Sequence, residues 1–169
     1  KLEHGNYRSG KDTAVYELDE SQPGFELFKP EYLIITNVRG DHLENYNNLD
    51  HYYDSFKRLI NNTNFVVTFE DEKKFRGNAT FGVYSGDFRL VERKQEGFLQ
   101  TVDIYTPWGE KKFLLPVPGY HNALNALAVI TLLSSIGYDI NDVMNSFYDF
   151  RLPGRRFNVS YDDPEKKLT

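Results

Sequence analysis

The alternation of short apolar segments with an amphipathic helix constrains the fold of this chain most strongly. Residues 32–36 and 65–69 are runs of apolar, β-branched and aromatic side chains, which is typical of strands buried on both faces of a sheet. Between them, apolar residues recur at helical spacing over residues 49–60 and predict an amphipathic helix. A shorter run at residues 14–16 predicts an earlier strand. This order indicates an α/β fold with a mainly parallel sheet flanked by helices.

The second half of the chain has a different pattern. Turn signals at residues 85–86, 96–97 and 107–109 separate four extended segments, which span residues 80–84, 87–93, 98–105 and 112–115. We interpret these segments as an antiparallel β meander inserted into the fold. Helical spacing then predicts a helix over residues 122–136, with Asn122 as a candidate N-cap and Gly137 as its stop, and a last helix over residues 139–150.

Composition excludes several classes of protein. The 169 residues, 40% of them hydrophobic, are enough to bury one sizeable core. No apolar run approaches the roughly 20 residues that a membrane helix needs. The chain contains no cysteine, which excludes a disulfide framework and a thiolate metal site. The net charge of −5 has the wrong sign for a general nucleic-acid binder. Together with the lack of cysteine and of a long apolar run, it leads us to expect a cytoplasmic protein that binds neither nucleic acid nor membranes.

Residues 5–11 have the G-x-x-x-x-G-K spacing of a phosphate-binding loop. A functional loop of this kind ends in Ser or Thr and leads from a strand into a helix, so that backbone N–H groups and the helix dipole face the phosphate. Here Asp12 follows the motif, and the next predicted element is a strand. We therefore predict that residues 5–11 do not bind phosphate.

Acidic residues and a histidine follow the first two predicted strands. Glu17, Asp19 and Glu20 come after the first strand, and the pair Asp41-His42 comes after the second. Ligands of open α/β sheets bind beyond the carboxyl ends of the strands, and carboxylate oxygens suit a hard cation such as Mg²⁺. The pattern fits either a metal site that includes Glu17 and His42, or a solvated acidic turn in which His42 caps the next segment.

Two further groups of polar residues lie at the ends of predicted elements. Asn122 and Asn125 are three residues apart at the start of the strongest predicted helix. Their amides either read a base edge such as that of adenine, or cap and satisfy the helix locally. Arg155 and Arg156 follow a Pro-Gly break, and guanidinium groups match phosphate oxygens. Neighbouring residues of an extended segment point opposite ways, so at most one of these arginines faces a given ligand.

Four tracts, taken in order along the chain, resemble the Mur ligase family of ATP-dependent ligases in peptidoglycan synthesis. They are VYELDES at 15–21, ITNVRGDHLENY at 35–46, PGYHNALNA at 118–126 and RRF at 155–157. The first and last tracts are most similar to the branch that joins L-alanine to UDP-N-acetylmuramate. The resemblance implies a bacterial cytoplasmic enzyme in which ATP phosphorylates the substrate carboxylate, and the amine of L-alanine attacks the resulting acyl phosphate.

The resemblance also implies a role for each matching residue. Glu17 matches the Mg²⁺-binding glutamate of the family, and His42 matches the histidine near the second metal, so both are candidate metal ligands and catalytic residues. Arg156 matches the arginine that reaches the nucleotide phosphates. The tract beside the adenine of ATP is matched by His121, Asn122 and Asn125. Such roles suit phosphoryl transfer, which depends mainly on metals and cations placed on the phosphate oxygens.

The resemblance further implies where this chain lies in the enzyme. Residues 1–152 are expected to be a central ATP-binding domain without its N-terminal phosphate-loop part, and residues 153–169 a linker and the start of a C-terminal domain. The missing domains of the same chain would be its partners, and this piece alone is expected to be inactive. Two alternatives remain: a sister ligase that recycles murein peptides or extends folate with glutamate, and a non-catalytic module with the ligase fold.

Overall fold

A six-stranded mixed sheet forms the centre of the protein. The computed structural model describes residues 12–21, 24–38, 40, 43–70 and 74–150. The strands follow chain order across the sheet: β1 (Tyr32–Ile35), β2 (Phe65–Phe69), β3 (Ala79–Gly82), β4 (Phe88–Glu96), β5 (Leu99–Thr106) and β6 (Gly109–Leu115). Strands β1 to β4 are parallel, and β4 to β6 are antiparallel. The predicted fold class, a mainly parallel α/β sheet with an antiparallel meander, is confirmed.

Helices cover both faces of this sheet. They are α1 (Leu49–Asn61), α2 (Tyr120–Ser135) and α3 (Ile140–Ser146). Val66 lies in an aromatic cluster with α1, whereas its neighbour Val67 lies in the cluster with α2 and α3. Because successive residues of a strand point to opposite faces, α1 lies on one face of the sheet, and α2 and α3 lie on the other. No helix in the part of the chain that the structure describes has the length and apolarity needed to cross a membrane.

The strand predicted at residues 14–16 is wrong. These residues have no regular secondary structure, and Val15 and Tyr16 are 91% and 74% exposed. A strand is stable only when a neighbour satisfies its backbone. Among the described residues, β1 pairs with β2 alone and no strand pairs with residues 14–16, so an apolar run by itself does not form one here.

The first segment of the predicted meander belongs to the parallel part of the sheet. Phe81 pairs with Phe88 and Gly82 with Arg89 in a parallel register, so the chain returns to its starting edge within residues 83–87. Gly86 adopts φ +103° in this loop, a conformation that favours glycine. The Ser-Gly turn signal is therefore real, but the turn does not make an antiparallel hairpin.

The helices differ from their predictions mainly at their ends. Helix α1 lies where the apolar spacing predicts it, and Asn48 caps it by accepting a hydrogen bond from the N–H of His51 at 2.8 Å. Helix α2 begins at Tyr120, so the prediction of Asn122 as its N-cap is wrong. Helix α3 ends at Ser146 rather than at residue 150, because the next N–H groups bond three residues back and tighten the chain into turns.

Candidate functional site at the carboxyl edge of the sheet

The topology brings several loops to one edge of the sheet. The carboxyl ends of the parallel strands β1, β2 and β3 meet there. Strand β6 also ends at this edge, because the chain reverses direction twice between β4 and β6. The loop of residues 116–119 and the first turn of α2 therefore lie on the side where open α/β sheets bind their ligands.

The acidic segment of residues 17–21 is attached to the loop that follows β1. The hydroxyl of Tyr46 donates a hydrogen bond to the carbonyl of Glu20, and Asn45 Nδ2 donates to the carbonyl of Ser21 at 2.9 Å. Leu18 packs against the aromatic cluster that contains Ile35, the last residue of β1. The segment thus lies next to the connection between β1 and α1, as the sequence prediction of a shared site requires.

The charges of this segment act on Tyr46. Burial raises the pKa of the Tyr46 hydroxyl, and the carboxylates of Glu26, Glu20 and Asp19 raise it further. The potential around this loop is therefore negative, which is the sign that a cation needs. The side chain of Glu17 is exposed. Among the described residues, however, no group of three potential metal ligands converges, so these residues alone do not form a complete metal centre.

The start of α2 presents a different set of groups. Gly119 precedes the helix at φ +100°, and no side chain caps the helix there. Asn122 Nδ2 instead donates back to the carbonyl of Pro118 at 2.6 Å. The side chains of His121 and Asn125 are exposed and lie one helical turn apart on the same face. The amide of Asn122 therefore supports the preceding loop, while His121 and Asn125 face outward.

Three polar residues that the sequence analysis did not identify hold the loop before α2. Gln100 is fully buried and donates from Nε2 to the carbonyls of Val117 and Gly119, the second at 3.1 Å. Arg93 donates to Gln100 Oε1 at 2.9 Å, and Gln95 Oε1 accepts the N–H of Gly119 at 3.1 Å. The signal for Gln100 is its register: it alternates with buried apolar residues of β5, so a polar group stands on the buried face.

A second anchor, which is half-buried, lies directly after β2. Glu70 Oε1 accepts the N–H groups of Val83 and Tyr84 at 2.9 and 3.0 Å, and Oε2 accepts that of Ser85. Burial raises the pKa of Glu70, but these donors outweigh it and hold the pKa below its ordinary value of 4.5. A Cβ at Gly82 would overlap this carboxylate, so any larger residue there would displace it. One side chain thereby organises the loop between β3 and β4.

Several predicted site residues lie outside the described residues. These are His42 and Arg156, the phosphate-loop-like residues 5–11 and the expected linker 153–169. Of the predicted residues that the structure does describe, Glu17 lies on the segment attached next to β1. His121, Asn122 and Asn125 lie at the start of α2, and both places are at the same edge of the sheet.

The fold and the polar loops at its carboxyl edge belong to a known class of domain. The chain is a member of the Mur ligase middle domain family, which matches it over residues 4–133. Among individual proteins, it is 46% identical over 173 residues to UDP-N-acetylmuramate--L-alanine ligase of Thermotoga petrophila. That similarity covers 99% of this chain but 37% of the relative, so the chain spans little more than a third of the relative's length.

Solved structures extend this comparison to three dimensions. The crystal structure of UDP-N-acetylmuramate-alanine ligase from Thermotoga maritima matches with a TM-score of 0.90 and 46% identity, over 97% of this chain and 39% of that one. MurF ligase from the same organism, solved in complex with ADP, matches with a TM-score of 0.60 and 19% identity, over 74% and 34% of the two chains. The second similarity shows the fold alone. The resemblance to the Mur ligase family is therefore confirmed.

Proposed function

We propose that this chain is the central ATP-binding part of a ligase that joins L-alanine to UDP-N-acetylmuramate. Residues 1–152 would form most of this domain, and residues 153–169 would lead into the next one. The observation that carries the proposal is the 46% identity to an alanine-adding ligase over 99% of the chain. This similarity favours the alanine-adding activity over that of a sister ligase, because the match to MurF is one of fold alone.

The geometry supports a nucleotide that lies along the carboxyl edge. The start of α2 would hold the adenine, with the exposed His121 and Asn125 facing it and Asn122 next to them. The segment with Glu17 lies near β1 at the other side of the parallel strands. Four strand spacings of about 4.8 Å separate β1 from β5, which suits an extended nucleoside triphosphate. The triphosphate would then point toward β1, and Arg156 would reach its oxygens.

The residues near β1 fit Mg²⁺ in their chemistry. Glu17 offers a carboxylate oxygen, the type of ligand that Mg²⁺ prefers, and the carboxylates around Tyr46 make this region negative. His42 and the phosphate oxygens would complete the coordination. The bound metal would neutralise charge on the transferred phosphoryl group, and the product of that transfer would be an acyl phosphate of UDP-N-acetylmuramate. The protein residues bind and orient these groups, and none of them acts as the nucleophile.

An amino-acid panel tests the activity. The protein encoded by the complete gene is incubated with Mg-ATP, UDP-N-acetylmuramate and single amino acids, and ADP release is measured. We expect release with L-alanine. Release with glutamate or a peptide but not with L-alanine would show a sister ligase instead. If the gene encodes no Gly-rich loop ending in Lys-Thr or Lys-Ser before Lys1, the domain is a non-catalytic module and the proposal is wrong.

Substitutions at the proposed metal site test the residue roles. In the same protein, Glu17→Gln and His42→Ala are each expected to lower L-alanine-dependent ADP release by a factor of about a hundred or more, the usual effect of removing a positioned charge from phosphoryl transfer. Glu110→Gln is the matched control, because it makes the same change at an exposed position of β6. Thermal unfolding checks that all three variants fold. Turnover near that of wild type in Glu17→Gln would remove Glu17 from the site.

A further inference from the structure

We propose that Gln100 and Arg93 are positioning residues for the nucleotide site at the start of α2. This inference rests on the proposed function and deepens it, since it names the residues that fix the loop of Val117 to Gly119. Neither residue would touch the nucleotide. They act through the backbone that carries His121 and Asn122.

The loop depends on side-chain amides for its backbone partners. The carbonyls of Val117 and Gly119 accept from Gln100 Nε2, and the carbonyl of Pro118 between them accepts from Asn122 Nδ2. The N–H of Gly119 is donated to Gln95 Oε1 at 3.1 Å. Gln95 and Gln100 are direct cross-strand partners of β4 and β5, and they lie 17 to 24 residues from the loop in sequence. Strand β5 therefore holds two carbonyls of the loop, α2 holds the carbonyl between them, and β4 holds the N–H of Gly119.

Arg93 fixes the orientation of the Gln100 amide. Its guanidinium donates to Gln100 Oε1 at 2.9 Å, so the oxygen faces the arginine and the Nε2 group faces the two carbonyls. A flipped amide would place its donors against the guanidinium and its oxygen against the carbonyls. The same guanidinium nitrogen donates to Gln95 Oε1 at 3.0 Å, and the group lies 5.8 Å from the ring of Tyr120. One cation thus aligns both glutamines at the first residue of α2.

The core of the protein does not need this arrangement. Ala123 and Leu127 anchor α2 in the apolar cluster and are fully buried, so the helix keeps its packing when the loop loosens. Pro118 and Gly119 are half-buried, so water can reach part of the backbone of this loop when the side-chain bonds are lost. Loss of the hydrogen bonds from Gln100 and Arg93 is therefore expected to change the orientation of the His121 and Asn122 side chains more than the stability of the fold.

Equilibrium titration with Mg-ATP, together with steady-state kinetics on the protein of the complete gene, tests the inference. We expect Gln100→Leu to weaken Mg-ATP binding about tenfold, which corresponds to the loss of about 1.4 kcal/mol. We expect the KM for L-alanine and the kcat to stay within about twofold, because these depend on other parts of the site. Arg93→Ala is expected to act in the same direction, and Arg93→Lys to restore part of the affinity, since a lysine can still donate to Gln100 Oε1.

Lys94→Ala is the matched control, because Lys94 is the exposed neighbour of Arg93 on β4 and points to the other face. Thermal unfolding is followed for every variant. If Gln100→Leu and Arg93→Ala lower the stability but leave the Mg-ATP affinity unchanged, Gln100 and Arg93 have only a structural role. That result would overturn the inference. If the leucine variant does not fold, Arg93→Ala decides by the same criterion.

The two proposals fail in different ways. A wild-type protein that binds Mg-ATP but shows no ADP release with any amino acid overturns the proposed function, and the affinities of the variants still decide the role of Gln100. A wild-type protein that does not bind Mg-ATP overturns both.

Discussion

Replacing Glu70 by glutamine tests how a single carboxylate holds the loop between β3 and β4. In the wild type, both carboxylate oxygens accept from the backbone of residues 83–85. The glutamine amide keeps one accepting oxygen but turns an N–H₂ group toward at least one backbone N–H. The substitution therefore removes either the bond from Ser85 or the two bonds from Val83 and Tyr84, and it brings two donors together, while the side chain keeps its size.

The size of the effect follows from the exposure of the loop. Hydrogen bonds to a charged group contribute about 1.5–3 kcal/mol each when they are shielded from water. Tyr84 and Ser85 are exposed, so water replaces part of what their N–H groups lose. We expect the free energy of unfolding to fall by about 2 kcal/mol at pH 7. For a domain of this size, that corresponds to a lower melting temperature by about 4–8 °C.

The stabilisation by the Glu70 carboxylate is expected to depend on pH. The pKa of Glu70 is below 4.5 in the folded protein, so the carboxylate stabilises the fold at every pH above 4.5. This stabilisation is lost as the pH falls through the folded pKa. The difference in unfolding free energy between wild type and Glu70→Gln is therefore expected to stay constant from pH 8 to pH 6 and to shrink below pH 4.5.

Urea unfolding of both proteins at several pH values measures this difference. Glu110→Gln on the exposed surface of β6 is the control for a lost negative charge, and it is expected to change stability by less than about 0.5 kcal/mol. A difference that persists undiminished at pH 3.5, or one that is absent at pH 7, would refute the assignment of the loop geometry to the Glu70 carboxylate.

Three further substitutions follow from the structure. Gly82→Ala is expected to displace the Glu70 carboxylate and to destabilise the protein by about 2 kcal/mol; in a double-mutant cycle the effects of Gly82→Ala and Glu70→Gln are expected to be strongly non-additive. Asp139→Ala removes the N-cap of α3, which accepts two backbone N–H groups, and is expected to cost about 1 kcal/mol in thermal unfolding. Burial raises the pKa of Tyr46 above 10.0, so its hydroxyl stabilises the fold below pH 10, and this stabilisation is lost as the pH rises through the folded pKa. Tyr46→Phe is expected to be less stable than wild type by about 1 kcal/mol at pH 7, because it lacks the hydrogen bond to Glu20. In urea titrations at alkaline pH, the variant is expected to lose less stability than wild type.

Local patterns predicted the elements whose stability comes from apolar burial. The spacing of apolar residues over 49–60 is an amphipathic stripe, and α1 forms over Leu49–Asn61 with Tyr52, Phe56 and Leu59 in the core. The continuous apolar run at Phe65–Phe69 becomes β2, which lies inside the sheet. In both cases the apolar residues that form the sequence pattern are the same residues whose burial stabilises the element. The apolar run at residues 14–16 does not determine a strand in this way, because a strand also needs a neighbouring strand to pair with, and the local sequence does not show whether one is present.

The ends of elements and the loops were predicted less well, for a physical reason. Asn122 is a good N-cap residue by propensity, but the glutamines of β4 and β5 satisfy the backbone of Gly119, so the helix starts earlier. The Ser-Gly signal at residues 85–86 is typical of a hairpin, but the carboxylate of Glu70 turns the loop into a parallel return. In each case a partner from another element overrides the local preference.

The loops at the carboxyl edge share one construction. A polar side chain from a different element holds the backbone of each: Glu70 holds residues 83–85, Gln100 holds the loop before α2, and Tyr46 holds the acidic segment. The bonded residues are 13 to 26 positions apart in sequence, a separation that no local pattern reports. Of the three anchors, Tyr46 also belongs to the aromatic cluster under α1, so its loss is expected to lower the stability of the fold as well. The bonds from Gln100 end on a loop outside the apolar clusters except at Val117, so changing Gln100 is expected to affect ligand affinity more than the packing of α2.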